Sequence, residues 1–117
     1  MDIDALKVNA RKASSLLKVM GNERRLLILC HLAEGERSVG ELEDLVGLSQ
    51  SALSQHLAKL RREKLVRTRR SAQTIYYSLN GREAMAVMAV LHELHCTEAK
   101  SDGSGLRGPT SPAPVPA

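Results

Sequence analysis

The stretch LSQSALSQHLAKLRR, residues 48–62, keeps its hydrogen-bonding and charged groups to one flank. At about 100° per residue, Leu53, Leu57 and Leu60 gather on one side of a helix, while Ser51, Gln55, Ala58, Lys59 and Arg62 project from the other. A face that served solubility alone would usually mix Glu and Lys at spacings that let them pair. Here no acid occurs before Glu63. Ser and Gln donate and accept hydrogen bonds at base edges, Ala touches a thymine methyl, and Lys or Arg holds phosphates. The pattern suits a major groove; an ordinary solvated helix is the alternative.

What must position such a helix is a small fold. The chain has 117 residues, no Trp, no Phe and only Tyr76 and Tyr77 as aromatics, so its core is Leu, Val, Ile, Met and Ala. Such a core is modest, and a dimer would help it. From Ser49 to Arg82 the charged residues are Lys59, Arg61, Arg62, Lys64, Arg67, Arg69, Arg70 and Arg82 against Glu63 alone, a local charge of +7. The whole chain carries +4, so the remainder sums to −3. A basic block in a mildly acidic chain implies a polyanion partner with a defined footprint. Scarce aromatics argue against single-stranded nucleic acid, whose bases stack on rings. No apolar run approaches the roughly 20 residues of a membrane span, and MDIDALKVNARK lacks the basic-then-apolar order of a signal peptide. A cytoplasmic protein with no membrane partner is expected.

Along the chain, Ile3, Leu6, Ala10, Ala13, Leu17 and Met20 recur at steps of three and four, a helix seam. Asn22 is a cap for a second helix running to Ala33 and stopping near Gly35. Ser38-Val39-Gly40-Glu41 reads as a capping box for a short third helix ending at Gly47, and Ser49 caps the fourth. The Gly47-Leu48-Ser49 turn between two short amphipathic helices is a helix-turn-helix signature. Residues 65–70 and 74–79 are β-prone runs separated by Ser71-Ala72-Gln73. A hairpin with two arginines near its tip is a wing, with a plain surface hairpin as the alternative. Asn80 and Glu83 are expected to cap a last helix striped by Ala84, Val87, Met88, Leu91 and Leu94. The expected fold is mainly α with a small β-hairpin wing, an α+β winged helix-turn-helix of five helices. Residues 1–97 form the DNA-binding and dimerisation domain, and 98–117 a disordered Gly/Ser/Pro-rich tail holding all four prolines.

Four blocks in order, NERRLLILC at 22–30, SVGEL at 38–42, LSQSALSQHL at 48–57 and AQTIYYSL at 72–79, resemble the ArsR/SmtB family of winged-helix repressors over about residues 8 to 97. The resemblance implies a homodimer joined through the first and last helices, bound to an inverted-repeat DNA operator and released by a chemical signal. Both apolar seams fit that dimer, with packing inside one subunit as the alternative. Candidate DNA contacts are Gln50, Ser51, Ser54, Gln55, His56, Lys59, Arg62, Arg69, Arg70 and Gln73. Candidate dimer contacts are Leu6, Ala13, Leu17, Val87, Leu91 and Leu94.

The signal is the harder question. Family members that bind soft metals through the third helix carry a Cys-Val-Cys-type motif, whereas this chain has Glu41-Leu42-Glu43-Asp44-Leu45. His92-x-x-His95 resembles half of the last-helix zinc site, but Leu79 and Gly81 stand where the other half belongs. Two imidazoles fall short of the three or four ligands zinc takes, so no metal or other cofactor is expected and both histidines read as surface or interface residues. By residue chemistry alone Cys30 and Cys96, the only cysteines, read as unrelated thiols, Cys30 a small core residue. The resemblance points elsewhere. A Cys after Leu-Leu-Ile-Leu and another closing the last helix look like the dithiol branch of the family, which responds to reactive sulfur species or other oxidants. It implies Cys30 and Cys96 as a redox-sensing pair. A constitutive or metal-responsive repressor and an anti-silencing regulator are the alternatives within the family. A thiol-disulfide enzyme is the alternative outside it, and no Cys-x-x-Cys, Gly-rich phosphate loop or nucleophile–base constellation supports an enzyme.

Overall fold

Side-chain caps fix where four of the helices begin. The computed structural model describes the backbone of residues 1–96 and the side chains of residues 1–95. Helix α1, Ile3–Met20, starts at Asp2, which accepts from the Ala5 amide, and α2, Glu23–Glu34, starts at Asn22, which accepts from the Arg25 amide. At Ser38 both arms of the expected capping box are present: the Glu41 amide donates to the Ser38 hydroxyl at 3.1 Å and the Ser38 amide to the Glu41 carboxylate at 2.8 Å. This box opens α3, Val39–Val46, whose last turn closes on Gly47 at φ 73°, a left-handed position that suits a residue without Cβ. Two residues on, Ser49 caps α4, Gln50–Arg62, by accepting from the Ala52 amide at 3.2 Å. The helix-turn-helix is thus set locally, by caps worth roughly 1 kcal/mol each.

Three strands follow the order β1-β3-β2, all antiparallel: β1, Arg37–Ser38, β2, Val66–Ser71, and β3, Thr74–Leu79. The wing hairpin is where the sequence places it, but pairing of Ser71 with Thr74 leaves only Ala72 and Gln73 in the turn, Ala72 at φ 56°. Strand β1 is an addition. It pairs Arg37 with Tyr77 and Ser38 with Tyr76, and two residues are too few for a periodic signal.

Two compact units are present, Met1–Gly81 and one beginning at Arg82. In the first, α2 packs against α3, α4 and β3. Ile28, Leu29, Leu42, Leu53 and Leu60 are its fully buried centre, each contributing roughly 1.5–3 kcal/mol of transfer free energy. The second unit holds α5, Glu83–Leu91, and a π-helical turn, His92–Cys96, with Ala84 and Met88 buried. Asn80 and Glu83 do not cap α5. Its cap position is Arg82, with no side-chain cap bond. Asn80 instead donates from its side chain to the Lys64 carbonyl at 3.0 Å and from its amide to the Leu65 carbonyl at 2.9 Å, bracing the turn where Lys64 adopts φ 61°. The expected tail at 98–117 lies outside the described residues.

Candidate nucleic-acid interface

Helix α4 presents two unlike faces. Leu53, Leu57 and Leu60 are buried to 2% exposure or less. Gln50, Ser51, Ser54, Gln55, Ala58, Lys59 and Arg62 are exposed. The buried leucines hold the rotation of the helix, so the polar residues are fixed outward. Lys59, Arg61 and Arg62 stand in the last turn, where the helix dipole favours cations, and uncharged donors and acceptors fill the first two turns.

His56 differs from its neighbours in being half-buried. Arg25 of α2 places NH1 3.4 Å from His56 Nδ1 and donates through Nε to the Val19 carbonyl at 2.7 Å. A guanidinium has donors only, so Nδ1 accepts and the ring proton sits on Nε2. Burial holds the His56 pKa below its ordinary 6.5, and Arg25, Lys59 and Arg24 add repulsion against the imidazolium. Arg24 in turn donates to the Val46 carbonyl at 3.2 Å, tying α2 to the end of α3. Neither arginine's role is visible in the sequence, because each partner lies 22 or more positions away or on another helix.

A pH dependence follows. A histidine with a depressed folded pKa stays neutral in the fold while the unfolded chain takes up its proton, so its contribution is complete above about 6.5 and is lost as pH falls below that value. Urea midpoints of the wild type and His56→Gln, measured from pH 7.5 to 5.0, are expected to diverge, with the wild type losing relatively more stability on the acid side. Parallel curves would contradict a depressed His56 pKa.

On the wing, Arg70 and Gln73 are exposed, and among the described residues Arg70 has no hydrogen-bond or ion-pair partner. Arg69 donates Nε and NH2 to the two oxygens of Glu36 at 2.9 and 2.7 Å, and its guanidinium carbon stands 4.5 Å from the Tyr76 ring centroid. Arg67 donates to the Ser78 hydroxyl at 3.3 Å. Glu36 carries no sequence signal for this position, since it precedes β1 and meets a strand 33 positions on.

Of the two thiols, Cys30 is half-buried on α2, and the Cys96 side chain lies outside the described residues. Among the described residues no three His, Cys, Asp or Glu side chains come together as a metal site. The candidate dimer residues Leu6, Leu17 and Leu94 are exposed, at 48%, 59% and 48%, whereas Ala13, Val87 and Leu91 are half-buried. Ile3 and Val90 add to the uncovered apolar surface.

Residues 22–68 match the family of bacterial regulatory proteins called the arsR family. The transcriptional activator HlyU of Vibrio cholerae is 54% identical over 82% of this chain and 89% of its own length. The structure of reduced HlyU from that organism superposes with a TM-score of 0.76 at 55% identity, over 79% of this chain and 97% of that one. The transcriptional repressor BigR of Xylella fastidiosa gives 0.78 at 38% identity, over 82% and 98%. A homodimeric winged helix-turn-helix DNA-binding domain from Mycobacterium bovis gives 0.67 at 28% identity, over 86% and 91%. With its capped helix-turn-helix, its wing and these relatives, the chain belongs to the arsR family of bacterial regulatory proteins, as a DNA-binding transcriptional regulator and not an enzyme.

Proposed function

We propose that this regulator is a cytoplasmic homodimeric repressor that occupies an inverted-repeat operator and leaves it when Cys30 and Cys96 of one subunit are oxidised by persulfides or related reactive sulfur species. Residues 1–97 serve as its DNA-binding and dimerisation domain. Helix α4 enters the major groove with Gln50, Ser51, Ser54, Gln55 and His56 toward base edges, Lys59 and Arg62 hold phosphates, and the wing tip, with Arg70 and Gln73, follows the backbone. The observation that carries the DNA reading is the exposed, acid-free polar face of α4 opposite three buried leucines.

Release needs a redox step that balances. A thiolate attacks the outer sulfur of a persulfide, R–S–SH, taking that sulfur and expelling RS⁻. The second thiolate then attacks the first cysteine's own Sγ, breaking its bond to the transferred sulfur, which leaves as HS⁻, and a disulfide forms. The two protein thiols lose two electrons and the transferred sulfur leaves reduced. A bridge that retains added sulfur takes a second donor molecule. Support comes from the dithiol pattern of the sequence and from a relative described in a reduced form. A second reading has the same DNA-bound dimer displace another silencing protein, favoured by the name activator borne by a relative 54% identical.

Ser51→Ala and Gln55→Ala test the groove assignment. Each is expected to lower the preference for operator over random duplex by roughly 1 to 3 kcal/mol, the worth of a good base contact, at an unchanged salt slope. Competition binding at fixed salt measures it. Equal loss on both duplexes, or none on either, would put the recognition surface elsewhere.

A further inference from the structure

Arg69 and Arg70 are adjacent on β2, and successive side chains of a strand point to opposite faces. They therefore face different surroundings. Arg69 is the register partner of Tyr76 on β3, and its guanidinium lies over that ring. From there it reaches past the central strand to Glu36, one residue before β1 on the far edge of the sheet. Ring and carboxylate together hold the guanidinium across the whole sheet, from β2 over β3 to the start of β1. The hold is two-point: both oxygens of Glu36 are engaged, by Nε and NH2. A guanidinium fork grips a phosphate in this same bidentate way, so Glu36 fills the position a DNA phosphate would require. Its charge also cancels that of Arg69 at contact distance. Each group perturbs the other as such a pair should: the hydrogen bond from Arg69 lowers the Glu36 pKa, and Glu36 raises that of Arg69. Arg70, on the opposite face, has neither a carboxylate nor a ring against it among the described residues.

Resting on the proposed contact between wing and DNA, we infer that Glu36 makes Arg69 a positioning residue, which sets the pitch of the wing across the sheet, and leaves Arg70 as the phosphate ligand of β2. Two neighbouring arginines that look equivalent in sequence thus divide the work. Glu36 also restrains binding to arbitrary DNA, because it withholds one cation that would otherwise contact any phosphate.

The salt dependence of binding separates the roles, since each phosphate neutralised contributes about 0.9 to the slope of log K against log salt on B-form DNA. Full-length wild type, Arg70→Met, Arg69→Met, Glu36→Gln and the Glu36→Gln/Arg69→Met double variant are titrated on a random duplex between 50 and 300 mM salt, roughly the range over which such slopes are resolved. Arg70→Met is expected to flatten the slope by about 0.9. Arg69→Met should weaken binding by a similar factor at every salt concentration and leave the slope as in the wild type. Glu36→Gln should steepen the slope by up to about 0.9 as Arg69 is released to a phosphate, and that gain should vanish in the double variant. If Arg69→Met flattens the slope as much as Arg70→Met, or if the gain of Glu36→Gln persists without Arg69, the division of roles is overturned. If none of the variants changes binding to any duplex, the wing does not meet DNA, and the proposed contact falls together with this inference.

Discussion

Leu17→Glu in the full chain is expected to sediment as a monomer and to lose operator binding, and Leu91→Glu to do the same. Leu17 is 59% exposed on α1, in line with exposed Ile3 and Leu6, and Leu91 borders exposed Val90 and Leu94 in the second unit. Uncovered Leu, Ile and Val on α1, and separately on the second unit, in a chain with so small a core, fit apolar faces that a second copy covers. A carboxylate introduced there either drags its charge into an apolar seam, at a cost of several kcal/mol, or keeps the seam open. A monomer carries one recognition helix and engages one half-site, losing the effective concentration that the linked second half-site provides. Sedimentation velocity paired with titration of a labelled operator checks both statements, and circular dichroism confirms that the variants remain folded. A wild-type chain that is a stable monomer and still covers both half-sites would contradict the dimer.

The second large effect concerns sulfur. After treatment with glutathione persulfide, the wild-type protein is expected to bind its operator at least about tenfold more weakly, a coupling of about 1.4 kcal/mol or more. Mass spectrometry should find Cys30 joined to Cys96 within one subunit, directly or through added sulfur. A direct disulfide needs Cα atoms roughly 4.4 to 6.8 Å apart, and added sulfur tolerates a longer gap. Cys30→Ser and Cys96→Ser should each keep DNA binding and lose the response. Cys30 stands on α2, the helix that also carries Arg25, whose side chain reaches His56 of α4. A bridge that displaced α2 would therefore act on α4 through a defined contact. A double Ser variant still released from DNA by persulfide would remove the thiols from the mechanism.

Features that depend on neighbours in the chain were the ones legible in the sequence. Asn22, the Ser38–Glu41 box, Gly47 and Ser49 all act within four residues, so residue type and spacing carry the whole interaction, and each cap is found where its chemistry puts it. The leucine stripe of α4 is legible for a similar reason, since a period of 3.6 and one buried face determine which side remains outside. Contacts between distant residues were not. Asn80 has the composition of a cap, yet its side chain serves a carbonyl 16 positions earlier, and nothing local announces that. The Glu36–Arg69 pair spans 33 positions and the Arg25–His56 contact 31. Arg69 and Arg70 consequently look alike in sequence and differ in the fold.

Recognition of a symmetric DNA site by two α4 helices is the centre of the proposed function, and selection from a random duplex library followed by methylation interference tests it most directly. Methylation at guanine N7 reports on the major groove and at adenine N3 on the minor groove. An inverted repeat is expected, its half-site centres about one helical turn, 34 to 36 Å, apart, with interference concentrated at N7 within each half-site. Enrichment of an asymmetric site or of none, or interference confined to adenine N3, would contradict it.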